Sequence, residues 1–294
     1  MMHTKYKGPL LIAMTAVLWS TAGVLIKLVP WDAMTIVGLR SMFAAAVMAI
    51  FMRRPRITFT KPVILGGFSL SATMVLFLFA NKLTTAANAV VLQYTSPIFV
   101  VLLSALLLRQ KPKALDIAAV AVVFIGVVLF FFDQLKADAL LGNILAFFAG
   151  LTFAGVFLSN RLPGAKPEEA MLLAYLINIV ICAPFIATNV TFELVPWVII
   201  VLMGVFQLGL AYVLFSIGIK ITSAVTASLI ATLEPLLSPL WVMIATGEKP
   251  GTYALIGGVI VLGAIVTYNI LSSKRSRAEK AEALPEGAEK PVSQ

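Results

Sequence analysis

Two formal charges stand deep inside apolar stretches of this chain, and both are of types that do chemistry. Arg40 lies near the middle of 31–52, and Glu234 lies at the middle of 223–245, where it is the sole formal charge. A charge at bilayer depth costs at least ~2.5–3.5 kcal/mol on insertion scales, and such residues usually face a cavity or a partner. One is basic and one acidic, so the two can pair, directly or through a solute. Glu234 has two readings: a proton or cation site whose protonation changes between states, or a static bridge that bonds Arg40 or freed backbone. Arg40 reads first as architecture, because it precedes the small residues 44–46, which suit close helix contact.

A wider ring of polar and aromatic side chains falls at similar depth: Trp19, Ser20, Asn88, Gln93, Tyr94, Gln207, Tyr212 and Trp241. Each is a candidate for touching a solute, and each has the alternative of an interhelical hydrogen bond, core packing or an interfacial anchor. Trp241 lies seven residues beyond Glu234, on the same helical face. Three prolines have a mechanical reading as hinges. Pro235 frees the carbonyl of Ala231, Pro239 frees that of Pro235, and Pro97 frees that of Gln93. Irregular backbone at membrane depth is tolerated where protein covers it or where it lines a watery cavity. By contrast, Ala146, Gly150 and Ala154 form a small-residue stripe that reads as helix packing.

The elements that must hold these groups follow from composition. The 294 residues are 61% hydrophobic and 12% charged, against roughly half and a quarter in soluble domains. Runs of about 20 apolar residues, enough to cross a hydrocarbon core of roughly 30 Å, recur along the chain. The expected fold is an all-α polytopic membrane protein with ten spans: 9–29, 31–52, 62–81, 85–108, 114–132, 140–159, 170–188, 195–217, 223–245 and 252–272. Alternating segments of a membrane β-barrel are not visible. The first run lacks a cleavage site and reads as a span. One cysteine, Cys182, and one histidine, His3, exclude an intrachain disulfide framework and His-based chemistry in the body of the chain.

Net charge is +9, but the basic residues are scattered in short connections. The pattern is therefore topological rather than nucleic-acid-binding. With the N-terminus inside, sixteen Lys and Arg fall on the inner side, and four (Lys27, Lys82, Lys136 and Lys249) on the outer. Both termini are expected in the cytoplasm, with 1–8 and 273–294 as tails and the charged 273–294 disordered.

The chain also repeats itself. Residues 82–112 and 220–250 align without a gap, with identities at Lys82/Lys220, Thr84/Thr222, Ala86/Ala224, Ala89/Ala227, Pro97/Pro235, Leu102/Leu240, Lys111/Lys249 and Pro112/Pro250. These copies fall in the fourth and ninth spans, so the unit is five helices: 9–132 and 140–272. Five is odd, so the second copy is expected upside down, the inverted-repeat plan of many secondary transporters.

On these residues the sequence resembles the ten-helix, EamA-type exporters of the drug/metabolite transporter superfamily. The Trp followed by a small residue in LLIAMTAVLWSTAGVLIK and the Arg with Ala-rich sequence in TIVGLRSMFAAAVMAI are similar to that family's first two helices. In that family each repeat has a turn, a mid-helix Pro and a closing Gly-Glu-Lys/Arg. The first copy departs at Gln110, where Glu is usual and which Glu248 retains in the second, and neither turn has the frequent Tyr. The resemblance implies two five-helix bundles around a central cavity, alternating access, peripheral helices 5 and 10, and a cavity lined by helices 1, 3, 4, 6, 8 and 9. It identifies the fold well and the solute poorly.

The functional expectation is a secondary transporter of a small polar or amphipathic metabolite or drug. It reads as an exporter, proton-coupled or an exchanger, in a prokaryotic cytoplasmic (inner) membrane. A uniporter or importer of the same fold, and an intramembrane lipid-modifying enzyme, are the alternatives; two isolated charges argue against the enzyme. No GxxxxGK[ST], GxSxG or HExxH motif occurs, so no ATP, cofactor or metal is expected. The expected partners are the solute, the bilayer and a coupling proton, with no nucleic acid. The duplication supplies both halves, so a monomer suffices and a homodimer stays open.

Overall fold

The computed structural model describes residues 2–84, 89, 92–109, 111–130, 132, 140–237, 241 and 252–282. Among these, every regular element is helical. The first half carries α1 (Met2–Ser20), α2 (Ala22–Lys27), α3 (Ala33–Met52), α4 (Lys61–Leu83), α5 (Ser96–Leu107) and α6 (Ala114–Phe130). The second carries α7 (Leu140–Ser159), α8 (Pro167–Asn189) and α9 (Leu194–Leu202), which runs into a π-helix (Met203–Leu210) and then α10 (Ala211–Lys220). Two further helices follow, α11 (Ala224–Ala231) and α12 (Thr252–Glu282).

Capping marks where several of these begin. Asp32 takes N–H bonds from Met34 at 2.8 Å and Thr35 at 3.1 Å, satisfying donors at the start of α3. Ser223 does the same for α11 through the N–H of Thr226 at 3.0 Å. Prolines occupy the first turns of α4, α5 and α8, where a missing N–H costs nothing.

The chain is an all-α polytopic membrane protein, but its spans are not ten uniform rods. Among the described residues, six helices are long and apolar enough to cross a bilayer: Ala33–Met52, Lys61–Ala80, Leu140–Ser159, Pro167–Thr188, Leu194–Lys220 and Leu255–Ser272. Ser96–Leu107, Ala114–Leu129 and Ala224–Leu237 are apolar but shorter. Three of the expected spans are also interrupted. The first expected span is divided at Thr21, and the fourth and ninth are broken where Tyr94–Thr95 and Thr232 form turns. Both tails also differ from expectation. Helix α1 already starts at Met2, and α12 continues to Glu282. The segment KRSRAEKAE is rich in strong helix formers, so the helix that leaves the membrane propagates through it. Residues 283–294 lie outside the described residues.

Packing sets the site. The main helix contacts join α4 with α7 and α8, α3 with α8 and the π-helix, α1 with α10 and α11, α5 with α7, and α6 with α12. Small residues allow these approaches. A Cβ on Gly38 would meet Cys182 Cβ at 2.6 Å, so α3 and α8 touch backbone to side chain. Just beyond Arg40, Asn178 of α8 joins three helices. It accepts from Ser71 Oγ at 2.7 Å and donates to Ser41 Oγ at 3.4 Å. Large apolar side chains such as Ile50, Leu106 and Val259 are exposed on the outer faces, as lipid contact requires.

Candidate functional site

Two helix breaks frame the site. Tyr94 and Thr95 form a turn before α5, and Thr95 Oγ1 donates to the carbonyl of Leu92 at 2.6 Å. Thr232 forms the matching turn after α11, and its hydroxyl donates to the carbonyl of Leu229 at 2.5 Å. Each threonine thus holds a carbonyl at the break. Pro97 and Pro235 follow these turns rather than kinking a continuous helix. This corrects the mid-helix expectation: Pro97 is in the first turn of α5, where it starts a helix and does not distort one. Pro239 lies outside the described residues.

The small-residue stripe of α7 closes on the first break. Ala146 and Ala154 are fully buried. At Gly150 a Cβ would sit 2.8 Å from the Gln93 carbonyl oxygen and 2.9 Å from that of Leu92. The backbone of α7 therefore covers the carbonyls of the break, which is how irregular backbone survives in an apolar surrounding.

Between the breaks lies a cavity of about 80 Å³. Trp19, Arg40, Gln93, Gln207, Tyr212 and Glu234 all line it, so six sequence candidates converge on one space. Tyr94 joins them indirectly, its hydroxyl donating to Glu234 Oε2 at 2.5 Å. Among the described residues no ion pair joins Arg40 to Glu234. Arg40 is 7% exposed, and its electrostatic neighbours are Tyr212, Tyr175, Cys182 and Glu234. One wall is aromatic: the Trp19 ring stands 4.9 Å from Tyr212, 5.4 Å from Phe215 and 6.0 Å from Phe153.

Ser20 and Trp241 bond to each other. Trp241 Nε1 donates to Ser20 Oγ at 2.7 Å, tying the end of α1 to the ninth span. Neither lines the cavity. Asn88 lies outside the described residues. Arg40 brings the second span into the lining beside helices 1, 3, 4, 6, 8 and 9, where the resemblance implied only the latter six.

The chemistry available is recognition. Trp19 Nε1 and Arg40 Nε are buried donors, and Gln93 Oε1 and Gln207 Oε1 buried acceptors, with no hydrogen-bond partner among the described residues. Each such group costs about 1–3 kcal/mol while unsatisfied. A molecule that offers both donors and acceptors recovers that cost, and the aromatic wall accepts an apolar flank. The volume is small beside the roughly 300–1,000 Å³ of ordinary ligand pockets. This state of the cavity is therefore narrowed. No group of three or more His, Cys, Asp or Glu that could hold a metal occurs among the described residues.

Sequence reasoning missed Thr73, Met74, Phe77 and Phe153 in the lining, and Tyr175 and Asn178 behind it. Asn178 gave a readable signal, a lone amide in the run LINIVIC. Phe153 and Met74 gave none, since apolar residues in an apolar helix carry no direction.

A model of the EamA-like transporter family matches twice, over residues 6–132 and 140–270. An uncharacterized transporter of Clostridium kluyveri is 26% identical, covering 96% of this chain and 99% of that relative. One from Archaeoglobus fulgidus is 25% identical over 88% of this chain and 95% of its own. The uncharacterized inner membrane transporter YicL of Salmonella typhimurium is 23% identical over 94% of this chain and 100% of its own. A solved crystal structure superposes with a TM-score of 0.78 at 17% identity, covering 92% of this chain and 99% of that one.

Proposed function

Because this chain belongs to the EamA-like transporter family, we propose that it exports a small polar or amphipathic solute by alternating access, with Arg40 and Glu234 as the polar centre of the path. The observation that carries this reading is the shared cavity. An arginine from the first half and a glutamate from the second face one space without pairing to each other, among donors and acceptors that lack partners among the described residues. A structural bridge would have closed that pair. In this reading Glu234 takes the coupling proton, and Tyr94 reports its charge state through their hydrogen bond.

Alternating access needs two halves that exchange roles, and the packing supports ten spans arranged as two five-helix units. Exchanging each span for the one five later turns α4–α7 into α10–α1, and α5–α7 into α11–α1. The α3–α8 and α6–α12 pairs map onto themselves. Two consecutive family matches support the same division.

One end of the bundle is latched. Lys220 Nζ lies 2.7 Å from Glu168 Oε2, Arg161 donates to the Thr222 carbonyl, and Glu169 accepts the Thr58 N–H at 2.6 Å. The cavity instead reaches Ala22, Ile26 and Phe77 toward the opposite end. With the basic end inside, the state is closed to the cytoplasm of an inner membrane, a placement supported by likeness to the inner membrane transporter of Salmonella.

The test is counterflow in proteoliposomes against a metabolite panel, followed by imposed proton gradients. Arg40→Gln is expected to abolish exchange of any solute found, and Glu234→Gln to retain exchange while losing its response to the gradient. Unchanged rate and pH dependence in Glu234→Gln sinks the coupling role. Full exchange in Arg40→Gln sinks the site.

A further inference from the structure

A second cavity, of about 370 Å³, lies at the latched end of the bundle, between the ends of α5, α6, α7, α11 and α12. Lys111, Lys113 and Arg161 line it against one carboxylate, Asp116. Asp116 is engaged by the Tyr268 hydroxyl, which donates to its Oδ1 at 2.8 Å. Arg161 uses Nη2 on the Thr222 carbonyl, and no carboxylate pairs with it among the described residues. Ser104, Ser223 and Ser272 complete the wall, the Ser223 hydroxyl being spent on Thr226 Oγ1 at 2.6 Å. The chemistry is that of an anion site, several cationic and neutral donors around an excess of positive charge.

Beside this cavity an apolar groove of about 340 Å³ runs between α6 and α12. It is lined by Leu115, Ala118, Ala119, Val122, Gly263 and Ala264, and Tyr268 forms a wall of both spaces. From Leu115 to Val122 the groove follows α6 for roughly 10 Å at 1.5 Å per residue. Its shape comes from residue size. Where the helices press together, a Cβ on Gly126 would meet Val261 Cγ2 at 2.7 Å and the Gly257 carbonyl at 3.2 Å. At Gly263 nothing lies within 4 Å of a Cβ, so the seam has opened. The flanks of the groove are apolar and exposed, with Ile117 at 53% and Val266 at 56%.

We propose that this polar cavity and apolar groove together bind an anionic phospholipid, its phosphoryl headgroup against Lys111 and Arg161 and an acyl chain along the α6–α12 seam. The continuity through Tyr268 carries the choice of occupant. A soluble phosphate has no use for the groove, and a zwitterionic lipid leaves the excess of positive charge unanswered. Basic pockets between helices at a membrane face take anionic headgroups, with about 1 kcal/mol for each Lys or Arg near the surface.

Native mass spectrometry of the full chain in detergent tests this, with dioleoyl phosphatidylglycerol, dioleoyl phosphatidylcholine and inorganic phosphate as probes. Phosphatidylglycerol is expected to bind at least about fivefold more tightly than phosphatidylcholine. Arg161→Gln and Lys111→Gln should each weaken it by about fivefold. Lys111 is exposed, so its variant keeps the test valid if loss of the Arg161 tie unfolds the protein. Gly263→Leu, which fills the groove, should weaken phosphatidylglycerol as well. Equal binding of the two lipids, or unchanged affinity in Lys111→Gln, overturns the proposal. So does displacement by inorganic phosphate at the lipid's own concentration, which marks a soluble-anion site. A Gly263→Leu variant that loses dimers and keeps its lipid would assign the groove to a second copy and overturn it too.

Discussion

The Tyr94–Glu234 hydrogen bond is the sharpest place to test the energetics of the site, because it joins the two broken helices. Its length of 2.5 Å falls in the range of O–H···O⁻ bonds, roughly 2.5–2.7 Å. Neutral hydrogen bonds between membrane helices average about 0.6 kcal/mol and reach about 1.7, whereas bonds to charged groups run about 1.5–3 kcal/mol. A double-mutant cycle of Tyr94→Phe and Glu234→Leu, read by reversible unfolding in mixed micelles, should therefore give a coupling of at least about 1.5 kcal/mol when the carboxylate is ionised. The sign of its pH dependence follows from charge. Lowering the pH protonates the carboxyl, which then bonds as a neutral group, so coupling should fall toward about 0.6 kcal/mol. Tyr94 is 3% exposed, so solvent screening does not blur the difference. Additive variants within about 0.5 kcal/mol at both ends of the pH range, or a coupling that ignores pH, would refute a carboxylate that changes its charge in this pocket.

Two further outcomes are expected. Gly150→Ala places a Cβ 2.8 Å from the Gln93 carbonyl and from Thr95 Oγ1, so it should cost about 1–3 kcal/mol, lower Tm and blunt any solute-induced thermal shift; an unchanged Tm would show that α7 does not support the break. Lys220→Gln removes a half-exposed ion pair to Glu168 that is worth at most about 1 kcal/mol, so stability should barely move. If that pair latches its end of the bundle, a Ser216→Cys reporter in a Cys182→Ala background should react faster with a water-soluble maleimide, and an unchanged rate argues against a latch.

The class of the fold was legible because apolar runs and Lys/Arg placement are set by the bilayer, one residue at a time. The convergence of Arg40, Gln93, Gln207, Tyr212 and Glu234 was legible for a related reason: polar groups in apolar helices need company, and the cavity supplies it. What did not show was direction and the exact place of each interruption. Ser20 and Trp241 look like site residues by type, yet bond to each other. The prolines advertised a bend, but the turns sit upstream at Tyr94–Thr95 and Thr232, where threonine hydroxyls hold carbonyls. A charged C-terminal segment reads as disordered by composition, yet α12 carries its helix through to Glu282. Local patterns cannot report that a neighbouring helix has already borne the cost of nucleation.

The π-helix at Met203–Leu210 bears on how such a protein can change. Gln207 and Tyr212 are five positions apart, which in α geometry leaves their side chains roughly 140° apart around the axis. Wider winding with i→i+5 bonding brings such positions toward one face, and both line the cavity. The counterpart helix α4 runs as a single α-helix from Lys61 to Leu83. Loss of one residue within the π-helix would let it relax to α geometry with its hydrogen bonds remade. Because the wide turn is what takes up that residue, Tyr212 and Phe215 beyond it would stay near Trp19, and the positions within it, Gln207 among them, would be re-aimed. A one-residue deletion, ruinous in most helices, would here be absorbed within the wide turn, a mutational step that re-aims one stretch of the cavity wall while the rest of the bundle keeps its packing.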